Sequence, residues 1–353
     1  MSARVPAIIL GGTGYVAGEL LRLTLAHPRL ELAAIASDSQ PGEPVANAFP
    51  HLAPACGDLR YVSIAEATAL AARHPRSAVL AAAPHGVSHA LIDGLLKAAE
   101  AAGTEPSVVD ISADYRFADL AEYERVYRHA HGAPARAKDF TCAVPEHLDR
   151  APTPHVAHPG CFVTASLLAA VPLLKLGLVD GPVFVSAVTG STGAGRSPVA
   201  GTHHPQRHGD LYAYGALTHR HGAEIASLAR AATGREARVA FVPHSGPFAR
   251  GIHATVQASL AKPLDTADAI AALRAFYAGR PFVRVLDEPP RVKDVVASNY
   301  AQLSAVADGR TVVVMSVVDN LVKGAAGGAM QWMNRLQGFG EADGLAAPAP
   351  GWT

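Results

Sequence analysis

The sequence predicts an α/β protein of two domains, the first built on a parallel sheet and the second on a mixed sheet. A strand, a glycine turn and a helix open the chain, and further strands alternate with helices, which is typical of a parallel sheet covered on both faces. From Val183 onward the sequence changes to β-branched strands joined by glycine-rich loops, which favours a second, mainly antiparallel or mixed sheet. With 353 residues, 49% of them hydrophobic, the chain is long enough for two cores.

Composition narrows the class of protein. Lys plus Arg (30) equals Asp plus Glu (30), which argues against a nucleic-acid surface or a polybasic membrane anchor, because both need concentrated positive charge. Cys56, Cys142 and Cys161 are too few and too scattered for a disulfide framework, which favours a reducing compartment. No apolar stretch reaches membrane-spanning length, and no secretory signal precedes the first strand. We therefore expect a cytoplasmic enzyme that acts on small molecules.

The first unit has the outline of a dinucleotide-binding turn. A strand over 7–10 runs into a glycine turn, and 19–26 shows the spacing of an amphipathic helix. Gly11 permits the tight turn, Gly14 lets the backbone approach a pyrophosphate, and the helix start supplies amide donors and a positive dipole. Glycine turns also connect ordinary elements, but a position between strand and helix favours a cofactor site. The residues predicted to contact the cofactor here are Gly11, Gly12, Thr13, Gly14, Tyr15 and Val16.

The remaining elements follow from period and composition. Short apolar or β-branched runs bounded by turn residues predict strands, and apolar residues recurring three or four apart predict helices. The further predicted strands are 30–36, 77–83, 107–111, 183–188, 239–242, 251–260 and 311–318, and the further predicted helices are 91–99, 266–277 and 324–336.

Candidate ligand contacts stand at the ends of the predicted parallel strands, because ligands of such sheets bind beyond the carboxyl ends of the strands. After the second strand, an acidic Asp38 favours the free 2′-hydroxyl of NAD, whereas Ser37 and Ser39 favour the 2′-phosphate of NADP. This segment alone leaves both cofactors open. After the next two strands, Pro84 is a candidate cofactor contact, and Ser112 and Arg116 are candidate substrate contacts. Arg116 is equally compatible with an ion pair to Asp114.

Cys161 is a candidate nucleophile. Pro159 and Gly160 break any preceding strand, and an apolar stretch with helical spacing follows, so the thiol falls at or near the start of a helix. Unpaired amides and the helix dipole favour the thiolate there. The alternative is a small buried hydrophobe, since an unpaired Cys is among the most buried residue types.

Motifs spread along the chain resemble, in order, those of the N-acetyl-gamma-glutamyl-phosphate reductase family of arginine biosynthesis. They are GGTGYVAGELLRL, APHGVSH, DISADYRF, AVPE, HPGCFVTA, SAVTGSTGAGRSP, THRHGAEI, FVPHSGPFARGI, SNY and VVDNLVKGAAGGAMQWMN. The chain is also similar to the sister enzymes of the lysine pathway, which act on a carrier-linked aminoadipyl phosphate, and more distantly to aspartate-semialdehyde dehydrogenase.

The resemblance implies a fold of the semialdehyde dehydrogenase type. An NADP-binding Rossmann domain is expected over 1–160 and 322–353, and an α/β mixed-sheet catalytic and dimerisation domain over 161–321. The family implies NADP (NADPH) as cofactor, a small acyl phosphate and inorganic phosphate as ligands, and a homodimer or homotetramer. No metal is expected.

The chemistry of such a reaction needs a thiolate and one acid/base. A soft thiolate attacks an acyl phosphate while phosphate leaves, and the thioester then accepts hydride to give a tetrahedral oxyanion. His219 matches the catalytic histidine of the family, and His221 is the second choice and a candidate substrate contact. In an extended segment the two imidazoles share one face, whereas in a helix they diverge. A solvated surface loop is the alternative for this segment.

Other candidates divide into phosphate, substrate and cofactor contacts. The loop 193–197 offers backbone amides as an anion nest with Arg196 as a fork for the substrate phosphate, and the alternative is a flexible loop. Gly193 and Asn320 are predicted to contact the cofactor, with Asn320 at the nicotinamide carboxamide. Arg250 is expected to hold a carboxylate of either the substrate or the other domain. Glu224 is a cleft carboxylate or a helix cap, and Lys323 is compatible with a helix-start residue.

Two departures from the family pattern bear on specificity. The segment with His203, His204 and His208 resembles the lysine-pathway relatives, which keeps a carrier-linked aminoadipyl or glutamyl phosphate as an alternative substrate. No nearby carboxylate or thiol completes a metal site with these imidazoles. Asp38 stands where many relatives have a basic residue, which leaves the preference for NADP open. The last alternative, a non-catalytic dinucleotide-binding protein, would be expected to lack Cys161 or His219.

Overall fold

The structure is a computed structural model that describes residues 4–351. The described chain forms two compact units, each continuous in space but not in sequence. The first contains 4–142, 150–158 and 326–346, and the second contains 143–149, 159–325 and 347–351. Compared with the boundaries proposed from the sequence, the main differences are that 143–149, 322–325 and 347–351 belong to the second unit.

The first unit is a six-stranded sheet flanked by helices. Its strands are β1 (Val5–Leu10), β2 (Leu30–Ala36), β3 (Arg76–Ala81), β4 (Glu105–Asp110), β5 (Phe140–Cys142) and β6 (His155–Ala157). Its first helices are α1 (Tyr15–Leu25), α2 (Val45–Ala48), α3 (Ala53–Cys56), α4 (Ile64–Arg73), α5 (Ser88–Ala102) and α6 (Leu120–Tyr127). The order in space is β2-β1-β3-β4-β6-β5, and all pairs are parallel. The predicted parallel sheet is confirmed.

The core of the first unit explains why its central strands are uninterrupted apolar runs. Ile8, Val79 and Val108 of three neighbouring strands pack in one cluster with Leu95 of α5 and the Tyr115 ring. Because helices cover both faces of the sheet, alternating polar residues would be buried without partners. The apolar runs that predicted β1, β3 and β4 therefore coincide with buried strands.

The second unit is a seven-stranded mixed sheet with helices against it. Its helices are α7 (Cys161–Lys175), α8 (His204–Arg207), α9 (Arg220–Thr233) and α10 (Thr266–Phe276). Its strands are β7 (Val179–Thr189), β8 (Tyr212–Ala213), β9 (Val239–Ser245), β10 (Ile252–Leu260), β11 (Val283–Val285), β12 (Ala301–Ala307) and β13 (Thr311–Val318). The order is β11-β12-β13-β10-β7-β9-β8. The pairs β7–β9 and β11–β12 are parallel and the others antiparallel, which confirms the predicted mixed sheet.

A buried helix, α7, forms the core of the second unit despite an internal proline. Pro172 has no amide hydrogen, so the carbonyl of Leu168 loses its usual partner in the helix. The Tyr277 hydroxyl donates to that carbonyl at 2.6 Å. The proline is therefore tolerated because a side chain from the end of α10 satisfies the buried acceptor.

The chain returns to the first unit through a π-helical turn, Val322–Ala326, followed by α11 (Gly327–Leu336). The sequence predicted one helix from residue 324, so the start of the α-helix is three residues later than expected. The Oδ1 of Asn334 in α11 accepts from Nε2 of the His27 ring at 2.9 Å, because His27 Nδ1 accepts backbone amides. The Arg76 guanidinium donates to Gln337 Oε1 at 2.7 Å. These bonds fasten α11 to the first unit.

Within residues 4–351, no helix has both the length and the apolar character needed to cross a membrane.

We expect stability to fall between pH 6.5 and pH 4, in part through the buried His155. Burial lowers the pKa of this imidazole to about 4, whereas the unfolded chain takes up the proton near pH 6.5. The unfolded state therefore binds more protons in this window, and the free energy of unfolding falls with pH by up to about 1.4 kcal/mol per pH unit. His155→Phe should flatten the pH dependence of the thermal midpoint between pH 6.5 and pH 4.

The slope between pH 7 and pH 8 serves as the internal control for this variant, because it lies outside the window. An acid slope equal to that of the unmodified protein would contradict the assignment to His155.

Candidate active site

Cys161 is the first residue of α7, as the sequence predicted. Gly160 precedes the helix in an extended conformation (φ −60°, ψ 154°), and no side chain caps the helix start. The thiol is half-buried. The helix start is therefore uncapped by a side chain, and its dipole favours the thiolate at this position.

Glu224 fixes the residue before the thiol. This fully buried carboxylate lies in α9, and its Oε1 accepts from the Gly160 amide at 2.8 Å. The sequence left a cleft carboxylate and a helix cap open for Glu224, and in the structure its buried carboxylate lies at the start of α7, where it accepts from the residue that precedes the helix. Its role is to tie the start of α7 to α9, because an unpaired buried amide would be costly.

A cavity of about 430 Å³ in the second unit brings the two predicted catalytic residues together. Cys161, His219 and His221 all line it. The other lining residues are Phe162, Thr189, Gly190, Ser191, Gly193, Ala194, Val199, Gly201, Thr202, Tyr212, Tyr214, Arg220 and Ser245. The size suits a small-molecule ligand.

His219 caps α9 with its own ring. Its Nδ1 accepts from the amide of His221 at 3.1 Å, so the neutral ring carries its proton on Nε2. Burial, assisted by the charge of Arg220, lowers the pKa of His219 to about 4. At neutral pH the imidazole is therefore a neutral hydrogen-bond donor through Nε2.

The geometry of the two histidines combines the alternatives considered for the sequence. His219 is extended (φ −66°, ψ 133°), whereas His221 lies in the first turn of α9. Their ring centroids are 4.7 Å apart, and both rings line the cavity. The segment is thus neither a strand nor a solvated loop. It is the start of a helix, and the extended cap residue His219 places its imidazole beside that of His221.

Tyr214 is a cavity residue that the sequence analysis missed. Its ring centroid is 5.6 Å from that of His219, and its amide donates to the Pro243 carbonyl at 3.0 Å. Burial, and next the charge of Cys161, raise the pKa of Tyr214 to about 12. An isolated tyrosine before a glycine carries no motif, so nothing in the sequence distinguishes it.

In the loop 190–197, two of the amides expected to form an anion nest instead donate to carbonyls of the loop itself. The amide of Gly193 donates to Gly190 at 3.2 Å, and that of Gly195 donates to Thr192 at 3.1 Å. Gly193 lines the cavity, whereas the exposed Arg196 does not stand among the lining residues, and Arg220 does. The phosphate role of Arg196 stays a prediction.

Arg250 and Asn320 bind protein groups of their own unit. The Arg250 guanidinium forms a fork with the buried Asp319, with Nε 3.0 Å from Oδ2 and Nη2 3.2 Å from Oδ1. Asn320 Oδ1 accepts from the Gly251 amide at 2.7 Å, and its Nδ2 donates to Thr192 Oγ1 at 3.0 Å. Asp319 belongs to the same unit as Arg250, so this ion pair is neither of the two carboxylate contacts expected for Arg250. The predicted contacts of Arg250 and Asn320 with ligands stay predictions.

In the first unit, the glycine turn fits an anion. Gly11 has φ +79°, and a Cβ there would lie 2.6 Å from Ala83 Cα, so only glycine fits. Gly14 caps α1 without a side chain, and open space surrounds the position of its missing Cβ. Ala83 and Pro84 follow β3, which lies next to β1. Backbone amides at the start of α1 can therefore hold a phosphate beside the change in strand order.

After the end of β2, the Asp38 side chain binds a backbone amide of the protein. Its Oδ1 accepts from the Ile64 amide at the start of α4, at 2.9 Å. The hydroxyls of Ser37 and Ser39 are 3.0 Å apart. Tyr15, at the first position of α1, is 39% exposed, and Val16 is half-buried.

Ser112 and Arg116 are buried within the first unit. The Ser112 hydroxyl donates to Asp110 at 2.6 Å, and burial raises the pKa of Asp110 to about 6. The Arg116 guanidinium donates to the carbonyls of Ile111 at 2.7 Å and His158 at 3.1 Å. Their predicted contacts with a substrate stay predictions.

The histidine-rich segment forms the short helix α8. His203, His204 and His208 are exposed, and the rings of the last two are 5.1 Å apart. In the described part of the chain, no three or more His, Cys, Asp or Glu residues are arranged to hold a metal ion.

A parallel dinucleotide-type sheet, and a mixed sheet whose buried helix shares one cavity between a thiol and an imidazole, are typical of a class of oxidoreductases. Residues 6–153 match the family model described as semialdehyde dehydrogenase, NAD binding domain, and residues 161–320 match semialdehyde dehydrogenase, dimerisation domain. The first unit is therefore a nicotinamide dinucleotide-binding domain.

Full-length relatives define the family within this class. N-acetyl-gamma-glutamyl-phosphate reductase of Rhodospirillum rubrum is 39% identical and covers 98% of each chain. The protein of that name from Azotobacter vinelandii is 40% identical over 97% of this chain and 98% of the relative. The chain belongs to the N-acetyl-gamma-glutamyl-phosphate reductase family of semialdehyde dehydrogenases.

Solved structures of low identity confirm the fold. Aspartate semialdehyde dehydrogenase II of Vibrio cholerae, complexed with ASA, has a TM-score of 0.68 at 15% identity and covers 95% of this chain and 98% of its own. Aspartate semialdehyde dehydrogenase of Candida albicans, with NADP, has a TM-score of 0.65 at 17% identity and covers 95% and 99%.

We expect Glu224→Ala to destabilise the second unit, because the Gly160 amide loses its acceptor. The free energy of unfolding should fall by about 1–3 kcal/mol, and the Cys161 thiol should lose part of its alignment. Glu224→Gln is the matched control, since its amide oxygen can still accept. Thermal unfolding and alkylation of Cys161 measure the two effects, and equal stability of the Ala and Gln variants would contradict this role.

Proposed function

We propose that this protein reduces N-acetyl-gamma-glutamyl phosphate to N-acetylglutamate 5-semialdehyde and phosphate, with NADPH as the reductant, in arginine biosynthesis. The observation that supports this most directly is the cavity that Cys161 at the start of α7 shares with His219. The names of the full-length relatives supply the acyl group.

In the first step Cys161 forms a thioester. Its thiolate attacks the acyl carbon, a carbon–sulfur bond forms, and the carbon–oxygen bond to phosphate breaks with phosphate taking the electron pair. The helix start of α7 stabilises the thiolate that makes this attack. The Glu224 hydrogen bond holds the Pro159–Gly160 peptide directly ahead of Cys161, so the sulfur approaches the carbon from a fixed direction.

In the second step His219 stabilises negative charge. When bound, NADPH supplies the hydride that converts the thioester into a thiohemiacetal oxyanion on Cys161. The Nε2–H of the neutral His219 ring donates to that oxyanion, because its Nδ1 is occupied by the His221 amide. Collapse of the oxyanion forms the aldehyde carbonyl, breaks the carbon–sulfur bond and returns the thiolate.

The turn of the first unit is suited to NADP. Open space at Gly14 and the uncapped start of α1 accommodate a pyrophosphate, which Gly12, Thr13 and Tyr15 would flank. Ser37 and Ser39 offer two neighbouring hydroxyls for a 2′-phosphate. Because Asp38 binds the Ile64 amide, its negative charge is partly balanced by the start of α4.

An exposed sheet face supports a homodimer or homotetramer. Phe184 of β7 is in register with Gln257 of β10, Gln257 with Val313 of β13, and Val313 with Val306 of β12. Phe184 is 52% exposed and Val306 50%. The row therefore holds three apolar side chains and one glutamine across four strands, and exposed apolar side chains on a sheet face are typical of a surface that a second protein copy covers. The matching family model is named for dimerisation.

Cys161→Ser should abolish turnover. In the reverse direction we expect phosphate-dependent reduction of NADP with N-acetylglutamate semialdehyde, and a loss of about 10³-fold or more in the variant, because a serine hydroxyl without a base is a poor nucleophile. NADP binding, measured by fluorescence titration, should be unchanged. Cys142→Ser, which replaces a thiol in the first unit, is the matched control and should keep full activity.

The same assay tests both substrate and cofactor. NADP should give a higher kcat/KM than NAD, and the free semialdehyde should be preferred to the carrier-linked one of the lysine pathway. Turnover retained by Cys161→Ser would overturn the thioester route, whereas a preference for the carrier-linked semialdehyde would overturn the choice of acyl group alone.

Phe184→Glu should break the oligomer. Burying a carboxylate in an apolar interface costs several kcal/mol, so the variant should sediment as a monomer at micromolar concentration where the unmodified protein does not. Leu211→Glu is the control, because Leu211 is 56% exposed but lies outside the sheet. An unchanged sedimentation coefficient for Phe184→Glu would contradict an interface on this face.

A further inference from the structure

A close backbone approach lies beside the candidate nucleophile. Gly324, in the π-helical turn Val322–Ala326, packs directly against Cys161. A Cβ at residue 324 would lie 2.8 Å from Cys161 Cβ and 3.1 Å from Cys161 Cα. Real Cβ atoms essentially never show the first of these distances, so any larger residue would have to displace the turn or the start of α7.

The beginning of the π turn is fixed by Asp319. This buried carboxylate accepts through Oδ1 from the amides of Leu321 at 2.8 Å and Val322 at 2.9 Å. The Asp319 carbonyl accepts from the Gly324 amide at 2.9 Å. The chain therefore has little freedom to swing Gly324 away from Cys161.

An ion pair without solvent contact fixes the middle of the turn. Lys323 Nζ lies 2.6 Å from Glu146 Oε1, and both side chains are fully buried. The ammonium also lies 5.6 Å from the centroid of the Phe282 ring. A buried pair of this kind is a weak source of net stability, because desolvation offsets the attraction, but either charge alone is strongly disfavoured. The pair therefore selects one arrangement of the turn.

The π-helical form of the turn Val322–Ala326 also indicates a functional constraint. A π-helical turn is rarer than an α-helical one and recurs at functional sites. Here it interrupts what the sequence predicts as a regular helix from residue 324. The irregular hydrogen bonding is retained beside a thiol that already has one support, the bond between Gly160 and Glu224.

We propose that the π turn Val322–Ala326 is a positioning element for the Cys161 thiol, with Gly324 as its contact and the Lys323–Glu146 pair as its anchor. The proposal rests on the proposed role of Cys161 as nucleophile. It assigns no contact with substrate to these three residues. They act through the direction of the Cys161 side chain.

Gly324→Ala is the direct test. The added methyl group should displace Cys161 by a fraction of an ångström to about 1 Å, and a shift of this size costs on the order of 10²-fold in rate. We expect kcat to fall by about that factor while KM changes less than about threefold, because the groups that bind substrate are untouched. Gly94→Ala is the matched control, since Gly94 is exposed in a helix and its Cβ would meet open space. It should leave kcat unchanged.

The pH profile of alkylation supplies a readout independent of the substrate. The rate at which iodoacetamide modifies Cys161, followed by mass mapping of its peptide, should show a shifted midpoint in Gly324→Ala and the normal midpoint in Gly94→Ala. A merely destabilised enzyme would lose active molecules without shifting the midpoint. A kcat and an alkylation profile equal to those of the unmodified protein would overturn the proposal.

A double variant tests the anchor and covers the case in which Gly324→Ala does not fold. Glu146→Gln with Lys323→Met removes both buried charges together, so neither is left uncompensated. If the double variant folds and its kcat is lower than that of the unmodified protein at unchanged KM, the role of the Lys323–Glu146 pair as anchor is supported. A kcat equal to that of the unmodified protein overturns this role. If the unmodified protein fails to turn over the acyl phosphate, the proposed function fails, while the alkylation profiles still decide the positioning role.

Discussion

The hydrogen bond from the Gly160 amide to the buried Glu224 carboxylate is the constraint on which the candidate chemistry depends. It joins the start of α7, which carries the Cys161 thiol, to α9, which begins beside His219. Both functional groups therefore stand at helix starts that one bond holds together. A hydrogen bond to a carboxylate is stronger than one between neutral groups. Because the Glu224 carboxylate is buried, breaking this bond would leave the amide and the carboxylate without water to replace it.

In the proposed mechanism the His219 ring has two functions, as a helix cap and as a hydrogen-bond donor. Its Nδ1 replaces the serine or aspartate that usually caps a helix, and by accepting the His221 amide it leaves the proton on Nε2. A residue so placed cannot easily serve as base for the thiol, because protonating Nδ1 would break the cap. The helix dipole of α7 has to favour the thiolate instead, and the imidazole remains available as a donor to an oxyanion.

Local patterns were sufficient to predict the two sheets, the glycine turn and the helix start at Cys161, because each depends on residues close in sequence. They failed where a contact joins distant segments. Glu224 lies 64 residues from its partner in the sequence. Gly324 contacts Cys161 although the two residues lie near opposite ends of the segment 159–325. The short π turn was predicted as part of a helix, because the Asp319 bonds and the buried Lys323 that shape it leave no periodic signal.

The distribution of charge also explains why guessing arginines from sequence is difficult. Arg250 forms an ion pair with the buried Asp319, and Arg116 donates to the carbonyls of Ile111 and His158. Partners so far apart in the sequence as Arg250 and Asp319 leave no local pattern. Among the described residues that line the Cys161 cavity, the permanently charged side chain is Arg220. That charge also helps to keep His219 neutral. One guanidinium near the cavity thus favours an anionic ligand and preserves the donor that the oxyanion needs.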